Sequence, residues 1–502
     1  MHYHKRIDRQ ETILFCLDDF VPQNHNVRLI DKIVNNVIEE GNLFNDYQTG
    51  KIDTGRRAYN PSDLLKLLIY GYIYRLSSSR RLEEECLKNL HLKWLINGIT
   101  PSFRTICYFR EQNGKEIEIF FNTFVKNLFL NKLASNSLFA TDGVKIKGNV
   151  SKTSKNKKEL EEYKEEITKD FTKFINNLDN NNLNPKTKRK IYNFTTKLAK
   201  IKKCEEKIES GETSLVNPVD PDSLLLNNHG NRFRGFNTQV TVDSKGKYVV
   251  NVRIANKCND SHEITPTLCD IQKKLGILPE KIVADKGYNT LSEILNAEDN
   301  YHVLVITELN QYTEDQRKGF SYDSEKDIYT CPNNQIMTFS HIKIRKNRRR
   351  QRVYICNHCS ECPLKDKCTT SKSGRQMHRT DTIDRETMYR VNMRKDENQK
   401  IIRQRKGLIE NVFGVIRSRM GYIPLLLRGF NKVSIEINLY FIGYNITRYI
   451  NNFRNALSNG LFSFIFNIIC ILSSLRSFKN GYMCTNNCCL VFRVTKEYKK
   501  CF

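Results

Sequence analysis

The sequence predicts a mixed α/β core, preceded by an all-helical N-terminal region and interrupted by a cysteine-containing insertion. Three observations carry that expectation. Apolar runs that end in a carboxylate and a glycine occur at 138–143 and 281–287, the pattern by which a buried strand delivers an acid to the open edge of a sheet. Two alternating runs at 235–243 and 247–255, joined by Ser-Lys-Gly, read as an antiparallel hairpin. Ahead of residue 135 the apolar spacing is helical instead.

At 502 residues the chain exceeds one ordinary core, so several units are expected. The texture divides it into a helical region 1–135, a sheet-bearing region 136–314, a Cys-rich insertion 315–380, late helices 381–450 and an apolar and basic tail 451–502. Lys and Arg number 82 against 55 Asp and Glu, for a formal charge of +27. Such a balance argues for a polyanionic partner, nucleic acid before membrane. A biased composition rich in lysine and asparagine accounts for part of it, but not for arginine clusters at 80–81 and within 345–352. Met1 to Arg6 is basic with no apolar run behind it, so no secretion signal is expected. Sixteen cysteines are too sparse for a disulfide scaffold in a chain this long, which favours a reduced interior with one local cysteine site.

In chain order, Leu29, Ile30, Ile33 and Val37 mark a first helix, and Pro61 heads a second that is apolar nearly all round, the centre of a small bundle. Ser77 to Ser79 cap a third with an acidic first turn, and further short helices cover 90–96 and 105–110. Tight turns with exposed arginines, Arg80 and Arg81 among them, suit a helix-turn-helix type DNA module; plain helical packing suits them equally. Asp142 sits in an alternating run near a strand edge, and turn chemistry beside Gly143 is the plainer account of it. Residues 150–210 repeat Leu160, Tyr163, Ile167, Phe171 and Phe174, then Leu198, Ile201 and Ile208, as a charged helical hairpin outside the core. Asp285 closes the strand at 282–284, Tyr288 to Leu295 reads as helix, and Tyr301 to Ile306 as one more strand. Asp285 alone is as well explained by a helix cap.

Within the insertion, Cys359, Cys362 and Cys368 with Cys331 could close a tetrahedral Zn²⁺ site, with Cys356, His358 and His378 as spare ligands. Unligated cysteines are the competing reading. From 400 to 421 a basic amphipathic helix carries Leu408, Val412, Val415 and Met420 on one stripe and Lys406, Glu410, Phe413 and Arg417 on the adjoining face. Glu410 is then either a surface ion-pair member or a carboxylate held ionised among cations that also suit phosphates. A helix from 433 to 449 follows, and 461–472 is apolar but too short for a membrane span.

Taken together, these motifs resemble the DDE transposases of bacterial insertion sequences, in the branch with a cysteine cluster ahead of the catalytic glutamate. The resemblance runs from about 15 to 450. It rests on 55–61, 64–72, 78–83 and 108–110 in the helical region, on Thr141-Asp142-Gly143, on Ala284-Asp285-Lys286-Gly287-Tyr288, on Ile409-Glu410-Asn411, and on Arg428-Gly429 and Tyr444-Asn445. It implies an RNase H-like core whose catalytic and metal-binding residues are Asp142, Asp285 and Glu410, holding Mg²⁺ or Mn²⁺, and an N-terminal domain that binds the element's ends. It implies double-stranded DNA as partner (terminal inverted repeats and target), a homodimer on DNA, no membrane, and a bacterial cytoplasmic, nucleoid-associated setting. Arg80, Arg81, Lys406 and Arg417 are the candidate DNA contacts, and Asn237 or Gln239 candidate orienting groups. The sequence departs from the family signature where a tyrosine and an arginine usually precede the glutamate; Arg403 and Lys406 stand there. An RNase H-like nuclease without strand transfer and a decayed, non-catalytic copy are the rival readings.

Overall fold

In a computed structural model of the chain, the described residues are 16–45, 58–151, 153–177, 184–228, 230–308, 319–344, 350–371, 374–379, 383–418 and 425–458. The N-terminal helices are α1 (Asn26–Glu40), α2 (Pro61–Ile73), α3 (Ser79–Lys88), α4 (Leu90–Leu95), α5 (Phe103–Gln112) and α6 (Gly114–Leu130). Proline opens α2, where its missing N–H costs nothing, and Asn60 caps it by accepting from Ser62 N. Every residue from Asp63 to Tyr72 is buried, as an all-round apolar helix requires. Two expectations change here. Ser78 stands at the N-cap of α3 without a side-chain cap bond, and the first turn of α3 contains no acid. Arg110 is not an exposed arginine: it is 2% accessible and donates to Ser77 O and Ser79 Oγ, both at 3.1 Å.

The central sheet contains β1 (Leu138–Lys147), β2 (Leu224–Asn228), β3 (Asn231–Asp243), β4 (Val249–Ala255), β5 (Lys281–Ala284) and β6 (Leu304–Thr307). Its order is β2-β3-β1-β5-β6, with β4 also on β3. The first part of β3 pairs with β2 and the later part with β4, so both share one edge of that long strand. β1 is antiparallel to β3 and parallel to β5, and β5 is parallel to β6. Gly235 is required at one crossing, because a Cβ there would lie 2.1 Å from Ile146 O.

Several boundaries differ from the sequence reading. Lys286–Tyr288 is a single 3₁₀ turn, and the helix proper, α10 (Leu291–Tyr301), starts later. Tyr301 ends that helix instead of opening a strand, with His302 left-handed at φ 55° before β6. Helix α9 (Ile264–Leu275) stops at Gly276, whose φ of 70° is the left-handed C-cap that glycine provides. The charged hairpin is α7 (Lys157–Asn176) and α8 (Pro185–Glu209), with its own small core of Leu160, Ile167, Ile201, Cys204 and Val216.

The Cys-rich stretch is a second sheet that the sequence reading did not anticipate. It comprises β7 (Ser321–Asp323), β8 (Ile328–Thr330), β9 (Ile336–Ile344), β10 (Arg350–Ile355) and β11 (Gln376–Arg379), with the short α11 (Lys365–Cys368). Its core is Tyr329, Met337, Tyr354, Cys356 and Met377. The late helices are α12 (Ile383–Met393), α13 (Asp396–Ser418) and α14 (Phe430–Ser458). The last is longer than 433–449 and takes in residues assigned above to the tail. One continuous apolar core joins α1–α6, the central sheet, α13 and α14.

The motif marks after Glu410 are structural. Asn445, fully buried on α14, accepts from Val249 N at 2.9 Å and donates to Val249 O at 2.8 Å, so its amide completes the hydrogen bonding of β4. Tyr444 donates to Lys247 O at 3.0 Å. Arg428 donates to Asn149 O at 2.7 Å, and Gly429 turns the chain with φ 83°. None of the described helices is long and apolar enough to cross a membrane; the run 461–472 lies outside the described residues.

Candidate active site

Asp142 and Asp285 come together because β1 and β5 run parallel. Ala140 pairs with Val283, and each aspartate lies two residues further along its strand, on the same side by the strand's period of two. Asp142 is not at the end of its strand. β1 continues to Lys147 against β3, and only the pairing to β5 stops at Ala140. Asp285 leaves β5 in extended conformation and accepts from Gly287 N at 2.7 Å. Gly143 N donates to Asp142 Oδ1 at 2.9 Å. Burial pushes the Asp142 carboxyl up to about 6; the Arg405 guanidinium opposes the rise, and Asp285 and Asp260 add to it.

The late helix α13 packs across β1, β3, β5 and β6. Its buried face is Ile402, Arg405, Leu408, Ile409, Val412 and Phe413, the three-and-four spacing of an amphipathic helix. Arg405 reaches Asp142, Nη1 to Oδ2 3.1 Å, with 10% of its side chain exposed. The sequence points to its neighbour Lys406 as a phosphate contact and gives no sign of Arg405; Lys406 is exposed. Glu410 is five residues past Arg405, about 140° round the helix at ~100° per residue. It is exposed and makes no ion pair with a described residue. Lys406, Glu410 and Phe413 therefore do not share a face: Phe413 is buried and the other two are solvated. Arg417 lies within α13, but its side chain is outside the described residues. Arg403 is exposed.

Behind the aspartates lies a buried polar group that the sequence only hinted at. Asn237 and Gln239 on β3 are both fully buried. Asn237 Nδ2 donates to Asp260 Oδ1 at 2.9 Å and Gln239 Nε2 to the same oxygen at 2.6 Å. Tyr288, also fully buried, donates its hydroxyl to Gln239 Oε1. Asp260 itself carried no sequence signal beyond a polar loop between strand and helix.

Among the described residues no three His, Cys, Asp or Glu side chains are disposed to hold an ion. In the second sheet, the Cys368 thiol is raised chiefly by burial and, in smaller measure, by Cys359, Cys331 and Cys362. Cys356 is buried in the core beneath them, and His358 is exposed. The described cysteines are all free. In the helical region Arg80 and Arg81 are exposed on α3, with Arg80 stacked 4.8 Å over the Phe103 ring.

Two acids side by side at the edge of a mixed sheet, on a strongly basic chain, are an arrangement suited to phosphate chemistry on a polyanion. Comparison with known families gives that class a name. A "Transposase DDE domain" model matches residues 330–450 and a "Transposase domain (DUF772)" model matches 15–112. Together the two matches, one in each half of the chain, support an insertion-sequence DDE transposase. The DDE match contains Glu410 but neither Asp142 nor Asp285. Among solved structures, the chain is similar to the piggyBac transposase synaptic complex with hairpin DNA, at 12% identity and a TM-score of 0.31, covering 93% of this chain and 84% of that one. No curated protein matches.

Proposed function

We propose that this transposase cleaves and rejoins DNA strands at the ends of its element through a metal-dependent site built on Asp142 and Asp285. The observation that carries the reading is their placement, side by side on the parallel strands β1 and β5. The strand order β4-β3-β1-β5-β6, three antiparallel members followed by two parallel ones, supports an RNase H-like core. Mg²⁺ or Mn²⁺ fits the donor set, since a hard cation of this kind is commonly held by one or two carboxylates with water and substrate phosphates completing its shell. Bound there, it would supply activation of a water or 3′-hydroxyl and neutralise charge on the scissile phosphate.

The chain's own residues do the rest. Asp142 and Asp285 would hold the cation through their carboxylate oxygens. Arg405 neutralises Asp142 at 3.1 Å and lies where a phosphate oxygen could take over its hydrogen bond. Glu410 is the third proposed ligand; from its exposed position, α13 would have to turn or shift on DNA binding to bring it in. Lys406 and Arg417 are proposed for phosphate contacts beside the site, and Arg80 and Arg81 for contacts to the terminal inverted repeats. Two ends cut together call for a dimer on double-stranded DNA, in the bacterial cytoplasm.

The test is an assay on labelled DNA carrying the element's own ends, in Mg²⁺. Cutting and joining by the wild type is the expected result; cutting without joining favours a nuclease, and binding without cutting a decayed copy. Zn²⁺ on Cys331, Cys359, Cys362 and Cys368 is the companion proposal, because four soft ligands would stabilise a sheet with so small a core. Purified protein should then contain about one zinc per chain by elemental analysis, lost in a Cys359→Ser, Cys362→Ser variant. Metal-free wild type would refute it.

A further inference from the structure

We infer that Asp260 is a positioning residue of the active site, bracing Asp142 and Asp285 from the opposite face of the sheet. The inference rests on the metal-site reading above. Pairing places Gln239 opposite Gly143 and Asn237 opposite Lys145. In an antiparallel pair such partners point to one face, and Asp142, paired with Val240, points to the other. The two amides thus extend behind the acid, and both aim at a single oxygen of Asp260.

Fully buried carboxamides are costly unless satisfied, so a pair focused on one carboxylate oxygen fixes that carboxylate closely. The fit against β1 is equally tight. A Cβ on Gly143 would lie 2.6 Å from Asp260 Oδ1, so only glycine lets this acid rest against the residue next to Asp142. On its other side the network continues through Gln239 to the Tyr288 hydroxyl. Tyr288 ends the 3₁₀ turn that follows Asp285, and its N–H donates to Asp285 O at 3.2 Å. Asp260 therefore touches the backbone beside one metal-facing acid and, through Gln239 and Tyr288, holds the turn that carries the other. Its Oδ2 makes no hydrogen bond with a described residue, so Oδ1 does the holding.

The experiment is Mn²⁺ binding to full-length protein, followed by electron paramagnetic resonance, beside end-binding and cleavage. Asp260→Ala should weaken Mn²⁺ at least tenfold and slow cleavage while leaving DNA-end affinity unchanged. Asp260→Asn keeps an oxygen for both amides and should recover most of the Mn²⁺ affinity. Tyr288→Phe, which deletes one hydroxyl, should weaken Mn²⁺ in the same direction and stands in if Asp260→Ala fails to fold. Wild-type Mn²⁺ affinity in both Asp260→Ala and Tyr288→Phe overturns the brace. So does an Asp260→Asn variant as weak as Asp260→Ala, which would make the charge itself the requirement. No Mn²⁺ binding by the wild type would instead sink the metal-site reading on which the brace depends.

Discussion

Asp142→Asn and Asp285→Asn should each abolish strand cleavage and joining while leaving binding to the element's ends intact. An amide is a poor substitute for an anionic oxygen ligand, and the cation it fails to hold is worth several kcal/mol at the reacting phosphate. That corresponds to a rate loss of roughly a thousandfold or more. Single-turnover cleavage of labelled ends measures it directly. The fold should survive Asp142→Asn. Burial raises the Asp142 carboxyl to about 6 from an ordinary 3.8, so at neutral pH the ionised form costs the metal-free protein stability, and this cost is relieved as pH falls through about 6. A neutral side chain removes that cost, against loss of the Arg405 ion pair. Glu410→Gln should match the two aspartate variants if the exposed glutamate joins the site; full activity in it would remove Glu410 from the ligand set.

The largest loss of stability is expected from Glu436→Ala. This carboxylate on α14 is fully buried and accepts Leu426 N at 3.0 and 2.9 Å and Leu427 N at 3.0 Å. Burial raises its carboxyl, while those two N–H groups and the Arg110 guanidinium from α5 favour the charge. Glu436 thus ties the approach to α14 to the N-terminal helices. Truncation strands the buried Leu427 N–H and the part-buried Leu426 N–H and removes the negative charge facing Arg110, at a cost of about 3–5 kcal/mol. Against a typical total of roughly 5–15 kcal/mol, that is a large share. Urea unfolding should show the midpoint falling steeply for Glu436→Ala and less for Glu436→Gln, which keeps one carbonyl acceptor. An unchanged midpoint for Glu436→Ala would mean the two N–H groups find water instead.

Much of this molecule could be read from local pattern. The largely apolar α2 with Pro61 at its head, the β3–β4 hairpin, the α7–α8 hairpin and the two apolar runs that close on acids all announce themselves in local stretches, because period and turn chemistry are short-range properties. The second sheet was missed for the same reason. Its strands are short or exposed, and β9 is accessible along most of its length, so no alternation marks them.

The active site shows where that reading stops. Local pattern is enough to show that Asp142 and Asp285 close apolar runs, that a basic amphipathic helix carries Glu410, and that the order of these motifs resembles a transposase's. Which cation on α13 meets Asp142 is a matter of packing. Arg405 and Lys406 are neighbours in sequence but about 100° apart round the helix, and the phase is set by which face the sheet buries. The same holds for Asp260, an acid in a polar loop until β3 folds Asn237 and Gln239 onto one of its oxygens. Residue type and spacing are written locally; the direction a side chain takes depends on what packs against it from far along the chain.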